Sequence, residues 1–257
     1  MTNMKLLMPI IIIWLLSGCG TVQQQEENST TNNEILEISG TVENRYIEPI
    51  ISLESSNYQD KFINENNCDQ ILDKEFLIIC YDYTLKVAKS VSYTLEGDLV
   101  NELNIQERPD FYQEELIDEI YRAKSSDYHG SGYDKGHMAP DASFDWSQES
   151  LEATYSLANI IPQVPEVNRH MWANIEAYAR DKAMDLGEIT VVNVIRYSNH
   201  NQHYIGEDNI AVSIGYYKIL YNQDKSYEEC FYYANDINLN SDTLLDHKVN
   251  CRDIASS

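Results

Sequence analysis

The sequence predicts a single α+β domain in which strands precede and follow one long helix. Residues 76–81 and 90–95 form short apolar or alternating runs that are typical of strands. Residues 167–186 contain neither glycine nor proline and are followed by Gly187, the residue type expected just after a helix end. β-branched residues dominate 189–195, which indicates a core strand. A chain of 257 residues that is 43% hydrophobic can bury one sizeable core.

The remaining elements are predicted from shorter patterns. Residues 111–121 follow a proline and carry apolar side chains at helical spacing, so we expect a helix there. Residues 149–157 lack glycine and proline and predict a second, short helix. A polar loop is expected at 124–132, and further strands at 210–214 and 216–221.

The first residues have the layout of an export signal. Lys5 precedes eleven residues, 6–16, that are apolar and interrupted by one proline. A membrane-spanning helix needs about 20 apolar residues, so this run is too short to span and residues 1–18 are predicted to be a signal peptide. The quartet that ends at Cys19, Leu-Ser-Gly-Cys, resembles the bacterial lipobox, which implies acylation of Cys19. The alternative is an ordinary signal peptide with an incidental cysteine.

These features divide the chain into three parts. Residues 19–60 are expected to comprise lipidated Cys19 and a flexible tether, because residues 20–34 are polar and free of aromatic side chains. Residues 61–257 are the predicted globular domain. The protein is therefore expected to be exported and lipid-anchored to a bacterial membrane, at the periplasmic face or the cell surface.

Four cysteines remain for the domain: Cys68, Cys80, Cys230 and Cys251. An even number in an exported chain predicts two disulfides, for which three connectivities are possible. We favour the local pairs, Cys68 with Cys80 and Cys230 with Cys251, because each closes a short loop. Free buried thiols are the alternative.

The net charge of −24 limits the kind of ligand that the surface attracts. Proteins that bind polyanions usually carry basic surfaces, so an acidic chain can hold phosphate only where its 18 lysines and arginines converge. We expect weak non-specific affinity for nucleic acid that falls steeply with added salt.

The chemistry-bearing residues cluster between 131 and 180. A histidine closes the sequence Asp-Lys-Gly-His at 134–137, although a lone histidine is often only a hydrogen-bonded turn residue. On the predicted long helix a polar stripe recurs every four residues, each member displaced by only about 40° from the last. An ordinary amphipathic helix with one ion pair is the alternative. The stripe consists of Asn168, Trp172, Glu176 and Arg180.

Taken together, these motifs resemble the DNA/RNA non-specific endonucleases of the ββα-metal superfamily. That family carries Asp-Arg-Gly-His, then Asn-Ile-x-Pro-Gln, then a helix with an asparagine; the corresponding segments here are 134–137, 159–163 and the helix at Asn168. The resemblance extends over residues 68–254 and includes the sequence Arg-Pro-Asp-Phe at 108–111. It implies a ββα-metal nuclease fold, with a central antiparallel sheet flanked by helices and the active site on a strand–loop–helix motif.

The resemblance also implies a role for each residue. His137 corresponds to the general base, and Asn168 to the protein ligand of Mg²⁺, or of Mn²⁺ in its place. A neutral amide suffices because Mg²⁺ keeps most of its waters. Glu176 corresponds to the group that holds a metal-bound water, and Asn159 helps to arrange the site. Arg180 is expected to contact phosphate or the metal's water shell.

Two lysines bear on phosphate binding. Lys135 stands where the family usually has arginine, and it keeps the charge but lacks the planar fork that grips a phosphate through two hydrogen bonds. Lys86 stands where family members often carry another phosphate-binding arginine; a solvated surface lysine is the alternative.

The expected activity is that of a Mg²⁺-dependent endonuclease that hydrolyses DNA and RNA and leaves 5′-phosphate ends. One alternative is a surface lipoprotein of the same fold that has lost catalysis and binds nucleic acid or a protein partner. Another is a zinc hydrolase built on scattered histidines such as His200 and His203, which lack neighbouring cysteine or carboxylate ligands.

Overall fold

The computed structural model describes residues 57–241 and 243–255 of the chain. The predicted signal peptide, the Cys19 anchor and the tether as far as residue 56 lie outside the described residues. No helix within the described ranges combines the length and the apolar character that crossing a membrane requires.

Eleven strands occur in the described residues, and seven of them build one antiparallel sheet. The strands in chain order are β1 (Gln70–Asp73), β2 (Leu77–Asp82), β3 (Val87–Glu96), β4 (Asp134–His137), β5 (Ile160–Gln163), β6 (Glu188–Arg196), β7 (Tyr204–Ile205), β8 (Ile210–Ala211), β9 (Gly215–Asn222), β10 (Tyr227–Ala234) and β11 (Lys248–Val249). The large sheet has the order β1-β2-β3-β6-β9-β10-β11, while β4 pairs with β5 and β7 with β8.

Helices are short except for the one that follows β5. Apart from single turns of 3₁₀ helix, one of them at Glu119–Tyr121, the described helices are α1 (Tyr58–Phe62), α2 (Gln148–Thr154), a π-helix (Val167–Trp172) and α3 (Ala173–Leu186), which continues from the π-helix. The predicted long helix is thus confirmed, with a π-helical first part that the sequence did not indicate. Gly187 ends it at φ 87°, a left-handed conformation that favours glycine.

The domain begins earlier than predicted. The first described helix, α1, lies inside the expected tether, and its Tyr58 side chain is 3% exposed. Tyr58 and Phe62 pack against Tyr221 and neighbouring residues of the sheet. A single amphipathic turn of helix cannot bury its own aromatic side chains, so it must pack them against another element. Residues 57–60 therefore belong to the folded domain.

The central sheet separates two cores. On one side, the active-site face, the sheet packs against α3, and this face carries Tyr93, Asn193 and Lys218. On the other side, the back face, Val192 and Ile219 pack against α1 in an apolar cluster. The alternation follows from the period of two along a strand, which sends successive side chains to opposite faces.

The predicted helix over 111–121 is wrong. Its backbone instead pairs with a neighbouring segment: Tyr112 N–H donates to the Tyr155 carbonyl at 3.2 Å, and Leu157 N–H donates to the Tyr112 carbonyl at 2.8 Å. Glu114 is 4% exposed and accepts from Ser156 Oγ at 2.9 Å. These tertiary hydrogen bonds use the groups that a helix would need, so they override local propensity.

Most strand predictions are confirmed with small shifts of boundary. The exception is 210–214, where only β8 is a strand because the chain turns away and leaves Ile214 53% exposed. The sequence reading missed β1, β10 and the β4–β5 hairpin. Both disulfides pair as favoured, Cys68 with Cys80 and Cys230 with Cys251.

Candidate active site

β4 and β5 pair antiparallel although residues 138–159 separate them in sequence, and this pair of strands is called the hairpin below. Its first strand, β4, carries the Asp-Lys-Gly-His segment. His137 stands opposite Ile160 at the end of β4, and Gly136 stands opposite Ile161. A Cβ atom on Gly136 would overlap the side chain of Gln163, which is fully buried, so a larger residue here would have to displace that side chain. β4, β5 and the helix that follows form a strand–strand–helix unit, where the resemblance implies a strand–loop–helix motif.

The polar stripe of the helix contacts this hairpin and the loop after it. Three stripe residues, at positions 168, 172 and 180, each form a hydrogen bond to a residue further along the Asp134–Ser143 segment. The bonds run from Asn168 Nδ2 to Asp134 Oδ2 (3.1 Å), from Trp172 Nε1 to the His137 carbonyl oxygen (3.3 Å), and from Arg180 Nη1 to Ser143 Oγ (3.4 Å). The stripe therefore faces the hairpin, as the spacing predicted.

His137 is partly buried between two aromatic rings. Its ring centroid lies 5.4 Å from that of Phe111 and 4.9 Å from that of Tyr155. Burial lowers the pKa of His137 to about 4; Asp141 opposes this shift and Arg108 adds to it. Nε2 is enclosed without a hydrogen-bond partner in the described part of the chain. The imidazole is thus neutral at pH 7 and able to accept a proton.

Arg108 lies beside His137, and the sequence reading gave it no role. Its guanidinium Nε is 3.1 Å from Asp141 Oδ2, and its Nη2 is 3.0 Å from Asp145 Oδ2. Tyr155 Oη donates to the same Asp141 oxygen at 2.9 Å. Its Nη1 donates to the Ile105 carbonyl oxygen, so all three nitrogens of this permanently charged group have a partner and the charge beside His137 is held in a fixed position. The only sequence signal was its position in the Arg-Pro-Asp-Phe segment of the resemblance.

Asn159 fixes the chain just after the histidine. It is fully buried, its Nδ2 donates to the carbonyl groups of Ala139 and Thr154 at 2.9 Å, and its Oδ1 accepts from Ala139 N–H at 2.9 Å. The Asn159 carbonyl also accepts from Met138 N–H at 3.0 Å. Because its side chain is fully used by backbone groups, Asn159 arranges the site and leaves no free group for a ligand.

The side-chain oxygen of Asn168, Oδ1, is free to bind a metal ion. Its Nδ2 is committed to Asp134, whereas no described group donates to its Oδ1. Asp134 also accepts two hydrogen bonds from Arg169, at 2.7 and 2.8 Å. Partial burial opposes ionisation of Asp134, but the hydrogen bonds from Arg169 and Asn168 outweigh it and lower the Asp134 pKa. A fixed amide oxygen that is open to the cleft fits a hard cation such as Mg²⁺.

Glu176 lies on the same helix above a buried lysine that the sequence reading missed. Burial raises the pKa of Glu176 to about 7, while Lys218 and Arg180 hold it down. Lys218 is fully buried, and its Nζ lies 4.2 Å from the ring centroid of Trp172 and 3.2 Å from Tyr93 Oη. A charged residue on the buried face of an otherwise apolar strand was a signal that could have revealed it.

A cavity of about 1350 Å³ opens on the side of Lys135 and Asn168, and His137, Glu176 and Lys218 are not part of its lining. Lys135, Asn168 and Phe111 line it. Lys135 Nζ lies 5.1 Å from the Phe111 ring centroid and 5.8 Å from that of Tyr128. Its ammonium has no carboxylate within 4.0 Å among the described residues, so it is available for an anion.

Lys86 is not brought to this cavity. It adopts φ 57° in the turn between β2 and β3, and its Nζ lies 3.9 Å from Asp208 Oδ1. The same carboxylate binds Lys124 at 2.9 Å. The surface alternative describes Lys86 better than the phosphate-binding role, and the second cation beside His137 is Arg108 instead.

The scattered histidines do not form a metal site. His200 and His203 are exposed, and across the described ranges no three His, Cys, Asp or Glu side chains converge on a point that could hold a metal ion. A site built on one amide oxygen and water would not form such a group.

Comparison with known proteins agrees with this geometry. The family model for DNA/RNA non-specific endonucleases matches residues 54–256. Human mitochondrial endonuclease G is 29% identical over 160 residues, which cover 59% of this chain and 54% of that protein. The mitochondrial nuclease of Saccharomyces cerevisiae is 33% identical over 122 residues, covering 47% of this chain and 37% of that protein. The chain thus spans about half the length of the first of these two relatives and about a third of the length of the second.

A solved structure shares the fold. A chain in the crystal structure of the EndoG/EndoGI complex superposes with a TM-score of 0.64. It is 24% identical and covers 71% of this chain and 80% of its own length. The ββα-metal fold with a central antiparallel sheet is confirmed.

Proposed function

The chain belongs to the DNA/RNA non-specific endonuclease family, and from that premise we propose that it is a metal-dependent nuclease. It hydrolyses phosphodiester bonds of DNA and RNA without sequence specificity and leaves 5′-phosphate ends. The observation that carries the proposal is the placement of a neutral His137 and a free Asn168 oxygen on the two sides of one strand–strand–helix unit.

His137 acts as the general base. Its enclosed Nε2 keeps the proton, and its Nδ1 accepts the proton of the attacking water. Phe111 and Tyr155 hold the ring in place, and the low pKa keeps it neutral. A base with so low a pKa abstracts protons weakly but is almost never blocked by protonation above pH 5.

Asn168 would hold a divalent cation, Mg²⁺ or Mn²⁺, through its Oδ1. When bound, the cation supplies Lewis-acid stabilisation of negative charge on the phosphate and the leaving oxygen. Asp134 orients the Asn168 amide from behind, and Arg169 keeps Asp134 ionised. Glu176 accepts hydrogen bonds from water in the site.

Three cations serve the phosphate. Lys135 lines the cavity without a carboxylate partner, and Arg180 likewise has no ion pair within 4.0 Å among the described residues. Arg108 adds a guanidinium beside His137. Since these contacts address the backbone and read no base edge, sequence specificity is not expected.

A direct assay tests the proposal. Purified protein is incubated with plasmid, single-stranded DNA and RNA, with Mg²⁺, with Mn²⁺ or with EDTA, and the product ends are identified by labelling. We expect cleavage of all three substrates with either cation and none with EDTA. His137→Ala should reduce the rate about 10²- to 10⁴-fold without unfolding the protein. The matched control His200→Ala, an exposed histidine, should retain activity. Binding without cleavage by the wild type would favour the inactive lipoprotein.

We also propose that the protein is exported and anchored through lipidated Cys19. The two disulfides of the domain support an oxidising destination. In labelled bacterial cells the wild type should incorporate palmitate and sediment with membranes, whereas Cys19→Ser should lose the label and become soluble. Membrane association that survives in Cys19→Ser would contradict the anchor.

A further inference from the structure

A fully buried lysine lies directly beneath the proposed site. Lys218 stands in the middle of β9, on the active-site face, and its side chain is 0% exposed. Its ammonium donates one hydrogen bond, to Tyr93 Oη at 3.2 Å, and lies 4.2 Å from the ring centroid of Trp172. No carboxylate lies within 4.0 Å of it among the described residues.

Such an ammonium is costly for the fold. Removing a charge from water is unfavourable unless it is paired, and a phenol oxygen and an aromatic face compensate it only in part. An unbranched apolar side chain such as methionine would fill the same space without that cost. A local departure from the rules of stable packing is expected at functional sites, so Lys218 calls for a functional explanation.

The contacts of Lys218 lead to the residues that act on substrate. The Trp172 ring lies against the lysine ammonium, and its indole N–H donates to the His137 carbonyl oxygen at 3.3 Å. Asn193, the register partner of Lys218 on β6, donates to the Met138 carbonyl oxygen at 2.6 Å. The consecutive carbonyl groups of His137 and Met138 are therefore held by one side chain from the helix and one from the sheet.

We propose that Lys218 is a positioning residue for phosphodiester hydrolysis, acting through Trp172. The cation–π contact fixes the indole plane, the indole fixes the end of β4, and the imidazole of His137 is thereby held in its orientation. The positive charge also favours the ionised form of Glu176 on the other side of the indole. This inference rests on the proposed nuclease function.

The test replaces the charge and keeps the volume. In purified Lys218→Met we expect kcat to fall about 10- to 100-fold, the range typical of groups that orient catalytic ligands. KM should stay within about threefold, because Lys218 touches no substrate, and the midpoint of thermal unfolding should be unchanged or higher. The matched control is Ile219→Val, the next residue of β9 on the back face, which should lower the midpoint slightly and leave kcat unchanged.

A readout independent of activity follows the indole itself. With ¹⁵N-labelled tryptophan, the indole N–H resonance of Trp172 is assigned by its loss in Trp172→Phe. It should shift in Lys218→Met, shift less in Tyr93→Phe, and stay in place in Ile219→Val. If the wild type cleaves no nucleic acid, the nuclease proposal fails, and this resonance alone decides whether Lys218 positions Trp172.

Three results would overturn the proposal: an unchanged kcat in Lys218→Met, a Trp172 resonance that does not move, or a Lys218→Met protein that is less stable or unfolded. The last result would show that Lys218 serves the fold.

Discussion

The two faces of the central sheet are built from the same strands but differ in chemistry. The back face is apolar and closed, with Phe62, Val192 and Ile219 packed together beside the disulfide between Cys230 and Cys251. The active-site face buries a lysine, an asparagine and a tyrosine within its core. Both faces therefore contribute apolar burial to stability, but of the two only the active-site face also buries a charged side chain, Lys218, beneath the hairpin that carries His137.

This difference indicates how a small domain separates two requirements. Burial of apolar surface and a closed covalent loop stabilise the fold without any demand on geometry at the site. The fixed polar groups beneath the hairpin position the chemistry at a cost in stability. Substitutions on the two faces should accordingly produce opposite patterns of stability and activity.

The largest effect is expected on the active-site side at Asn168. Replacing Asn168 by leucine removes the oxygen that would bind the cation. The bound cation would stabilise negative charge by several kcal/mol, and losing this stabilisation corresponds to a fall in the cleavage rate of about a thousandfold. The unfolding midpoint should change little, because the side chain is only partly buried. Steady-state cleavage at several Mg²⁺ concentrations measures this, with Asn174→Leu, an exposed asparagine on α3, as the control. Equal losses in both variants would contradict the assigned role.

The back face should show the reverse pattern. Removing the disulfide whose cysteines are 21 residues apart, by Cys230→Ser with Cys251→Ser, should lower the free energy of unfolding by about 3 kcal/mol. Activity at 25 °C should stay within about twofold of the wild type, since the two cysteines pack in the back-face cluster and the contact of this loop with β5, from Asn235 Nδ2 to the Pro162 carbonyl oxygen at 3.0 Å, does not involve them. Denaturant unfolding and a cleavage assay on the same samples measure both. A folded variant with strongly reduced kcat would break the comparison between the faces.

Two lysines, one that lines the cavity and one that does not, allow a further comparison. Lys135→Ala should reduce kcat/KM about tenfold and weaken its dependence on salt, because an unpaired cation leaves the cavity. Lys86→Ala should change it less than about twofold, since Asp208 already holds that ammonium. Lys135→Arg should raise kcat/KM a few-fold by restoring a two-pronged donor. A greater loss in Lys86→Ala than in Lys135→Ala would reverse this assignment.

The smallest effect expected is on stability as a function of pH, measured in EDTA. The pKa of His137 is lowered from 6.5 to about 4 in the folded state, so its contribution to stability is lost as the pH falls from 6.5 towards 4. The pKa of Glu176 is raised from 4.5 to about 7, so its contribution is lost as the pH rises from 4.5 towards 7. The two oppose each other in the wild type.

Single variants separate these contributions. Relative to the wild type, the unfolding midpoint of Glu176→Gln should fall more steeply on acidification from pH 7 to 4.5. That of His137→Gln should fall less, or rise. Identical slopes in the two variants would mean that the two groups titrate normally in the folded protein.

The sequence predicted much of the fold because its strongest patterns were local. The β-branched residues at 189–195 predict a strand, and the residues before Gly187 predict a helix, without any knowledge of distant contacts. The segment 111–121 failed because Tyr112 and Glu114 find their hydrogen-bond partners more than 40 residues away. β4 was missed because a strand of sequence Asp-Lys-Gly-His has no hydrophobic pattern, and only its pairing with β5 defines it.

The candidate site was predictable where the residues share one element or one motif. The four-residue spacing placed Asn168, Trp172 and Arg180 on the face that contacts the hairpin. Arg108 and Lys218 were missed because they reach the site from a loop and from a sheet strand that are distant in sequence. Their roles depend on tertiary packing, which a single sequence does not display.

The central claim is that His137 supplies the base, and chemical rescue tests it most directly. His137→Gly removes an imidazole that is held between Phe111 and Tyr155 and leaves a space of its shape. Imidazole added to this variant should restore Mg²⁺-dependent cleavage in proportion to the concentration of its neutral form, and should restore nothing in Asn168→Leu. A folded His137→Gly protein that cleaves at the wild-type rate, or that imidazole does not restore at any concentration, would contradict the account.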